Sequence, residues 1–180
     1  MVDFVDFFHD IGRLKKVKRT GWVREGVPMP ESVAEHIFRV SVMALILGKK
    51  KGLNTERLVR MALLHDVSEA HVGDRVWERG TKVFHQRREA KEEAETASMK
   101  ELSEKIKDKE VFELWNDFMQ RKSPEAQFIK QLDKLEMAFQ AYEYELEHDK
   151  DLSEFFENVR PYLTDPDLLK IFEELVKKRR

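Results

Sequence analysis

The 180-residue chain is 41% hydrophobic and 38% charged, with 33 Lys and Arg against 35 Asp and Glu and a formal net charge of -2. That length fills one core and predicts a single domain over residues 1–180, while the charge balance excludes a protein that coats polymeric nucleic acid, whose affinity rests on concentrated Lys and Arg. The chain has no cysteine, which excludes disulfide scaffolds, zinc-thiolate sites and thiol nucleophiles and leaves His, Asp and Glu to hold any metal.

The opening Met-Val-Asp-Phe-Val-Asp lacks the basic start and apolar core of a signal peptide. The longest apolar run, Val40 to Gly48, is too short to span a bilayer, so the expectation is a cytoplasmic protein with no membrane partner. From Asp3 to about Lys16, Phe4, Phe7, Phe8, Ile11 and Leu14 recur at helical spacing and predict an amphipathic helix with an aromatic buried face and His9 in solvent. Two glycines and two prolines between Lys16 and Pro30 predict a loop without regular helix. Its Lys18, Arg19 and Trp22 offer cations for an anion and a flat ring for a base or sugar, against the plainer reading that Trp22 plugs the core edge.

Ser32-Val33-Ala34-Glu35 matches a capping box and starts a helix that runs to about Lys51 and stops at Gly52. His36 sits in its first turn, on the inward face continued by Val40, Met43, Ala44 and Leu47. Asn54 or Thr55 caps the next helix, where Leu58, Met61, Ala62 and His65 share one face, Glu69 follows His65 by one turn, and Asp66 lies about 100° around the axis. Gly73 permits a turn that presents Asp74 beside the same helix end, with Val72 and Trp77 packed beneath. The charge-dense segment from Thr81 to Lys107 reads as a largely solvated helix or helix pair. Its His85, like His71 before it, is a solvent-facing residue or a candidate ligand of a second metal.

Val111 to Lys122 predicts a short helix with Phe112, Trp115, Phe118 and Met119 inward. Ser123-Pro124-Glu125 starts a long one to about His148, in which Asp133 stands in apolar company and demands a partner. Two terminal helices follow, near Asp151–Tyr162 and after Asp165-Pro166. The sum is an all-α fold.

His36, His65, Asp66 and Asp133 come from three of these helices, each near an element end or at a polar break in an apolar face. Two imidazoles and two carboxylates suit one divalent ion (Co, Mn, Ni, Fe or Zn) and leave coordination positions open, as a catalytic site requires. The order His, His-Asp, Asp resembles the signature of HD-domain phosphohydrolases. The flanking Lys-Arg-Thr-Gly-Trp, Glu-Ser-Val-Ala-Glu-His, Leu-Leu-His-Asp-Val-Ser-Glu-Ala with Gly73-Asp74, and Lys130-Gln131-Leu132-Asp133-Lys134-Leu135-Glu136 are similar to its 5'-deoxynucleotidase branch.

That resemblance implies a compact helical HD-domain bundle, a homodimer, and metal-dependent hydrolysis of deoxyribonucleoside 5'-monophosphates. It gives the metal to His36, His65, Asp66 and Asp133, proton transfer to Glu69, the phosphate to Arg19, and the sugar site to Trp22 and Asp74. Charge counting agrees: an ion balanced by two aspartates is neutral, and a phosphate dianion near Glu69 and Asp74 calls for Arg19 with Lys18 beside it. Apolar surroundings reject an added hydroxyl only about a hundredfold, so a rigid Trp22 ring is the better filter against ribose. The rival readings are an HD phosphohydrolase acting on a cyclic nucleotide, a triphosphate or guanosine tetraphosphate, and a nucleotide-binding regulator without turnover.

Overall fold

A computed structural model describes residues 2–74 and 82–179, and the side chains of 82–88 fall outside that description. Trp77 and the side chain of His85, both singled out from the sequence, therefore lie outside the described residues. The fold is all-α: α1 (Phe4–Arg13), α2 (Thr20–Arg24), α3 (Val33–Lys51), α4 (Thr55–Leu64), α5 (Glu69–Val72), α6 (Lys82–Ile106), α7 (Lys109–Gln120), α8 (Pro124–His148), α9 (Ser153–Val159), a 3-10 turn at Arg160–Tyr162, and α10 (Pro166–Lys178). Among the described residues the only β-type pairing is an isolated bridge between Lys18 and Ser32.

The helix ends follow local chemistry. Ser32 and Glu35 form both halves of the capping box, and Gly52 closes α3 at φ 68°, where a side chain would be strained. Asn54, Ser123 and Asp165 each accept a backbone N–H at the start of α4, α8 and α10. The loop before Ser32 departs from expectation, because Thr20–Arg24 forms a short helix that includes Gly21 and ends before Gly26 and the two prolines. Asp74 accounts for it: its carboxylate accepts the Thr20 N–H at 2.6 Å, and its carbonyl accepts the Thr20 hydroxyl at 2.6 Å. That distant partner satisfies an orphan donor at a helix start that the local sequence does not cap.

α1 also differs. Leu14 is buried, and Phe7 and Ile11 pack on the core cluster of Leu14, Val33, Ile37, Val67 and Trp115, whereas Phe4 and Phe8 are 56% and 64% exposed. A peripheral helix covers one narrow stripe, and these two rings stack on each other outside it. α6 is less solvated than its charge density predicts, since Met99 and Leu102 are fully buried.

α3 packs along α4 and α8, and this pairing brings the site together. A Cβ at Gly48 would collide with the buried Leu58 side chain, so glycine is what lets α3 and α4 approach closely at that end. Val40 and Ala44 of α3, Leu58 and Met61 of α4, and Ile129 and Leu132 of α8 form the floor beneath. Rigid packing here fixes the spacing of three helices that each carry one part of a polar cluster.

Candidate metal centre

His36, the fourth residue of α3, is 0% exposed, and His65, just after α4, is 2% exposed. The sequence places His65 and Glu69 one turn apart on a single helix, but α4 ends at Leu64 and the chain turns over residues 65–68 before α5 begins. That break aims Asp66 inward instead of leaving it around the helix axis. His65 Nε2 lies 3.3 Å from His36 Nε2 and 3.3 Å from Asp66 Oδ2. His36 Nε2 lies 3.7 Å from Asp66 Oδ2 and 3.4 Å from Asp133 Oδ1 on α8.

His36, His65 and Asp66 stand close enough together to share an ion, their 3.7 Å pair slightly wide, and Asp133 adjoins them through His36. Donors about 2.0–2.2 Å from one metal stand roughly 3.0–3.5 Å apart. The tautomers fit as well: His65 Nδ1 pairs with the Ala62 carbonyl at 2.7 Å and His36 Nδ1 with Glu136 Oε2 at 2.5 Å, which turns both Nε2 lone pairs to the centre. The surroundings also favour positive charge there. Burial and Arg19 oppose it, yet Glu136 and Asp133 raise His36 to about 10. Lys130, Lys134 and His36 overcome burial to hold Asp133 well below the ordinary carboxylate range, and His65, Arg19 and His36 do the same for Asp66.

Behind His36 runs a second buried group that sequence reasoning did not assign. Glu136 is 0% exposed and also accepts from Arg39 Nε at 2.9 Å, and Arg39 continues to Glu143 and Gln140. Its signal was an acid on the Ala126–Ile129–Asp133 stripe of α8, a position that burial forbids without partners. Glu31, also buried, comes close to His36 and Glu136 and accepts the Trp22 indole N–H at 2.9 Å.

Trp22 itself is 2% exposed, stacked on Phe155 at 4.2 Å and edge-on to Tyr144. Its ring faces are therefore covered by protein, and it touches the site through Glu31, not as an open wall. Arg19 reaches Asp66 Oδ2 at 3.3 Å and Asp74 Oδ1 at 3.9 Å with its side chain 14% exposed. Its backbone is pinned by N–H donation to the Glu31 carbonyl at 3.1 Å. Lys18, which forms the isolated bridge with Ser32, is exposed and lines a separate surface cavity of about 580 Å³ with Met29, Phe38 and Arg39.

Glu69 is 3% exposed, and its Oε2 has no hydrogen-bond partner. Burial first, then Asp66 and Asp74, push its carboxyl well above the ordinary range. Lys91 of α6 approaches its Oε1 at 3.6 Å and Glu95 at 3.3 Å. On α8, Lys130 donates to Asp133 Oδ2 at 2.8 Å, and Lys134 stands 3.5 Å from the same oxygen. Burial lowers Lys134 to about 8. His71 faces away from the centre, with Nε2 3.2 Å from the buried Asp10 and Nδ1 3.1 Å from Ser98 Oγ. Lys105 completes that cluster at 2.6 Å from Asp10, so His71 ties α1, α5 and α6 together.

Comparison with known proteins matches residues 11–171 to the HD domain family model. The 5'-deoxynucleotidase HDDC2 of Bos taurus is 38% identical over 182 residues, covering 98% of this chain and 86% of that protein. The human 5'-deoxynucleotidase HDDC2 is 38% identical over 97% of this chain and 85% of its own length. Among solved structures, a conserved hypothetical protein from Pyrococcus furiosus superposes with a TM-score of 0.77 at 36% identity, covering 96% of this chain and 99% of that one.

Proposed function

This chain belongs to the HD domain family, and from that premise we propose that it is a metal-dependent phosphomonoesterase that hydrolyses deoxyribonucleoside 5'-monophosphates to deoxynucleoside and phosphate. The observation that carries the reading is the convergence of His36 Nε2, His65 Nε2 and Asp66 Oδ2 within 3.3–3.7 Å of one another, beside Arg19 and a buried Glu69. Relatives 38% identical over nearly the whole chain carry the name 5'-deoxynucleotidase, which gives the substrate class its support.

His36, His65, Asp66 and Asp133 would hold one divalent ion, with Co, Mn, Ni, Fe and Zn all compatible with two imidazoles and two carboxylates. When bound, the ion supplies Lewis acidity to the phosphoryl group and to the attacking water. Arg19 binds the phosphate, drawn from its contacts with Asp66 and Asp74 toward a more highly charged partner. Glu69 takes the proton of the water and returns it to the leaving 5'-oxygen, a role for which its Oε2, without a protein hydrogen-bond partner, is available. Asp74 shapes the sugar site by fixing Thr20 and Arg19, and Trp22 does so by fixing Glu31. Lys18, on the neighbouring surface cavity, adds only long-range positive charge.

The reading takes residues 1–180 as one cytoplasmic HD domain that works as a homodimer. No helix among the described residues is long and apolar enough to cross a membrane. The test is phosphate release from a panel of deoxy- and ribonucleoside monophosphates, cyclic nucleotides and triphosphates, with Mn, Co, Ni, Fe or Zn added. Release from deoxymonophosphates first supports the activity, and release from none of them sinks it.

A further inference from the structure

Two lysines that the sequence reading passed over flank the metal-binding aspartate from one side of α8. Asp133 turns Oδ1 toward His36 Nε2 at 3.4 Å and Oδ2 toward Lys130 at 2.8 Å and Lys134 at 3.5 Å. Lys130 thus occupies Oδ2 with a full hydrogen bond and keeps it from turning to the ion. Lys134 is held differently. Its ammonium lies over the Tyr162 ring, with Nζ 5.7 Å from the centroid, and its side chain is 19% exposed. Asp133, at the longer distance, is its only ion-pair partner among the described residues.

The charges around the centre leave a role for it. Asp66 and Asp133 balance a divalent ion, and Glu69 and Asp74 add further negative charge, so an incoming phosphate dianion needs more than one cation. Arg19 is shared between Asp66 and Asp74, and Lys130 is spent on Asp133. An ammonium carries three donors, and Lys134 directs none of them into a bond as short as that of Lys130.

We propose that Lys134 is a phosphate-binding residue, gripping the substrate phosphate from α8 opposite Arg19 at the start of α2, while Lys130 is a positioning residue that holds Asp133 to one-oxygen ligation. The inference rests on the phosphomonoesterase reading for its substrate, though not for its ligand chemistry, which is a phosphate group beside a divalent ion.

The test uses the full chain loaded with Co or Zn and titrated calorimetrically with inorganic phosphate, alongside metal affinity measured by competition with a chromogenic chelator. Lys134→Met removes the ammonium but keeps an unbranched side chain of similar bulk, and should weaken phosphate binding about tenfold or more, the loss expected for one charge-assisted hydrogen bond, with metal affinity changed less than about twofold. Lys134→Arg should recover most of the phosphate affinity. Lys130→Met should weaken metal binding instead. Phosphate affinity unchanged in Lys134→Met, equal loss of metal and phosphate in that variant, or no phosphate binding by the loaded wild type would each overturn the inference. Phosphate binding that depends on Lys134 in a protein releasing phosphate from no deoxymonophosphate would sustain the inference and reject the activity.

Discussion

His36 Nε2 and His65 Nε2 face each other at 3.3 Å while each ring's Nδ1 is already committed, to Glu136 and to the Ala62 carbonyl. Two lone pairs in that position repel unless a proton or a metal lies between them. A bound ion therefore acts as a cross-link between α3 and the end of α4. Loading at about 1,000 times Kd stabilises by about 4 kcal/mol, which is roughly 10 °C in Tm for a chain of this size. Differential scanning fluorimetry with a chelator and then with added Mn, Co or Zn should show that fall and its recovery. A Tm indifferent to both would remove the ion from the site.

Glu69→Gln replaces a buried carboxyl whose hold on a proton is strengthened by burial and by Asp66 and Asp74, while preserving its volume. Removing a general acid-base group costs typically about 10²–10⁴ in rate, so kcat should fall by that range. Metal content by mass spectrometry should stay at the wild-type level, because Glu69 is not among the four proposed ligands and stands outside the grouped His36, His65 and Asp66. Loss of metal along with activity would make Glu69 a ligand.

Trp22 must be tested without emptying the core. Truncation to Ala would cost about 3–5 kcal/mol for a buried aromatic and confuse folding with recognition. Trp22→Phe keeps an aromatic ring against Phe155 and removes the N–H that holds Glu31, at the cost of a far smaller void than Ala would leave. The deoxy-to-ribo ratio of kcat/KM should then drop about fivefold, the worth of one hydrogen bond, with metal content unchanged. An unchanged ratio would separate Trp22 from sugar discrimination.

Asp10 sets an acid limit on stability. Burial works against its ionisation, but hydrogen bonds from Lys105 and His71 hold it below the ordinary aspartate value of 3.8. A carboxyl whose folded pKa is depressed contributes stability that is fully present above the unfolded value and disappears as pH falls through the folded one. Asp10→Asn should therefore cost about 1–3 kcal/mol at pH 7, below the range for a fully buried pair because Lys105 is partly solvated. The gap between the two denaturation curves should close below about pH 4. A constant gap down to pH 2 would mean that Asp10 contributes by packing alone.

Much of this fold is legible locally because helix ends are local events. Ser32 with Glu35, Ser123 with Pro124, and Asp165 with Pro166 each announce a start within four residues, and the structure places α3, α8 and α10 there. The four proposed ligands are legible because polar residues on apolar stripes stand out. What fails is whatever depends on a distant partner. α2 exists because Asp74, 54 residues away, caps it. His65 leaves the helix because the chain turns to present Asp66, and no local breaker marks that turn. Lys91, Lys130 and Lys134 look like ordinary surface charges until packing turns them toward the centre.

The outer face of α3 supports the proposed homodimer. Phe38, Val42, Leu45 and Ile46 are 70%, 43%, 51% and 53% exposed and follow one another at helical spacing, on the side opposite His36, Val40 and Ala44. A two-fold contact of this stripe with its copy would bury eight apolar side chains in one self-complementary patch. Sedimentation equilibrium should give twice the 21.4 kDa chain mass, and Phe38→Glu with Ile46→Glu should give the single chain. Charges at both ends of the stripe would face their own copies across the axis and cost several kcal/mol. A wild-type monomer would dismiss the dimer, whereas a double variant that stays dimeric would move the contact off α3. The second outcome would direct attention to the exposed Phe4 and Phe8 of α1, which lie outside the α3 stripe and would be untouched by the two charges.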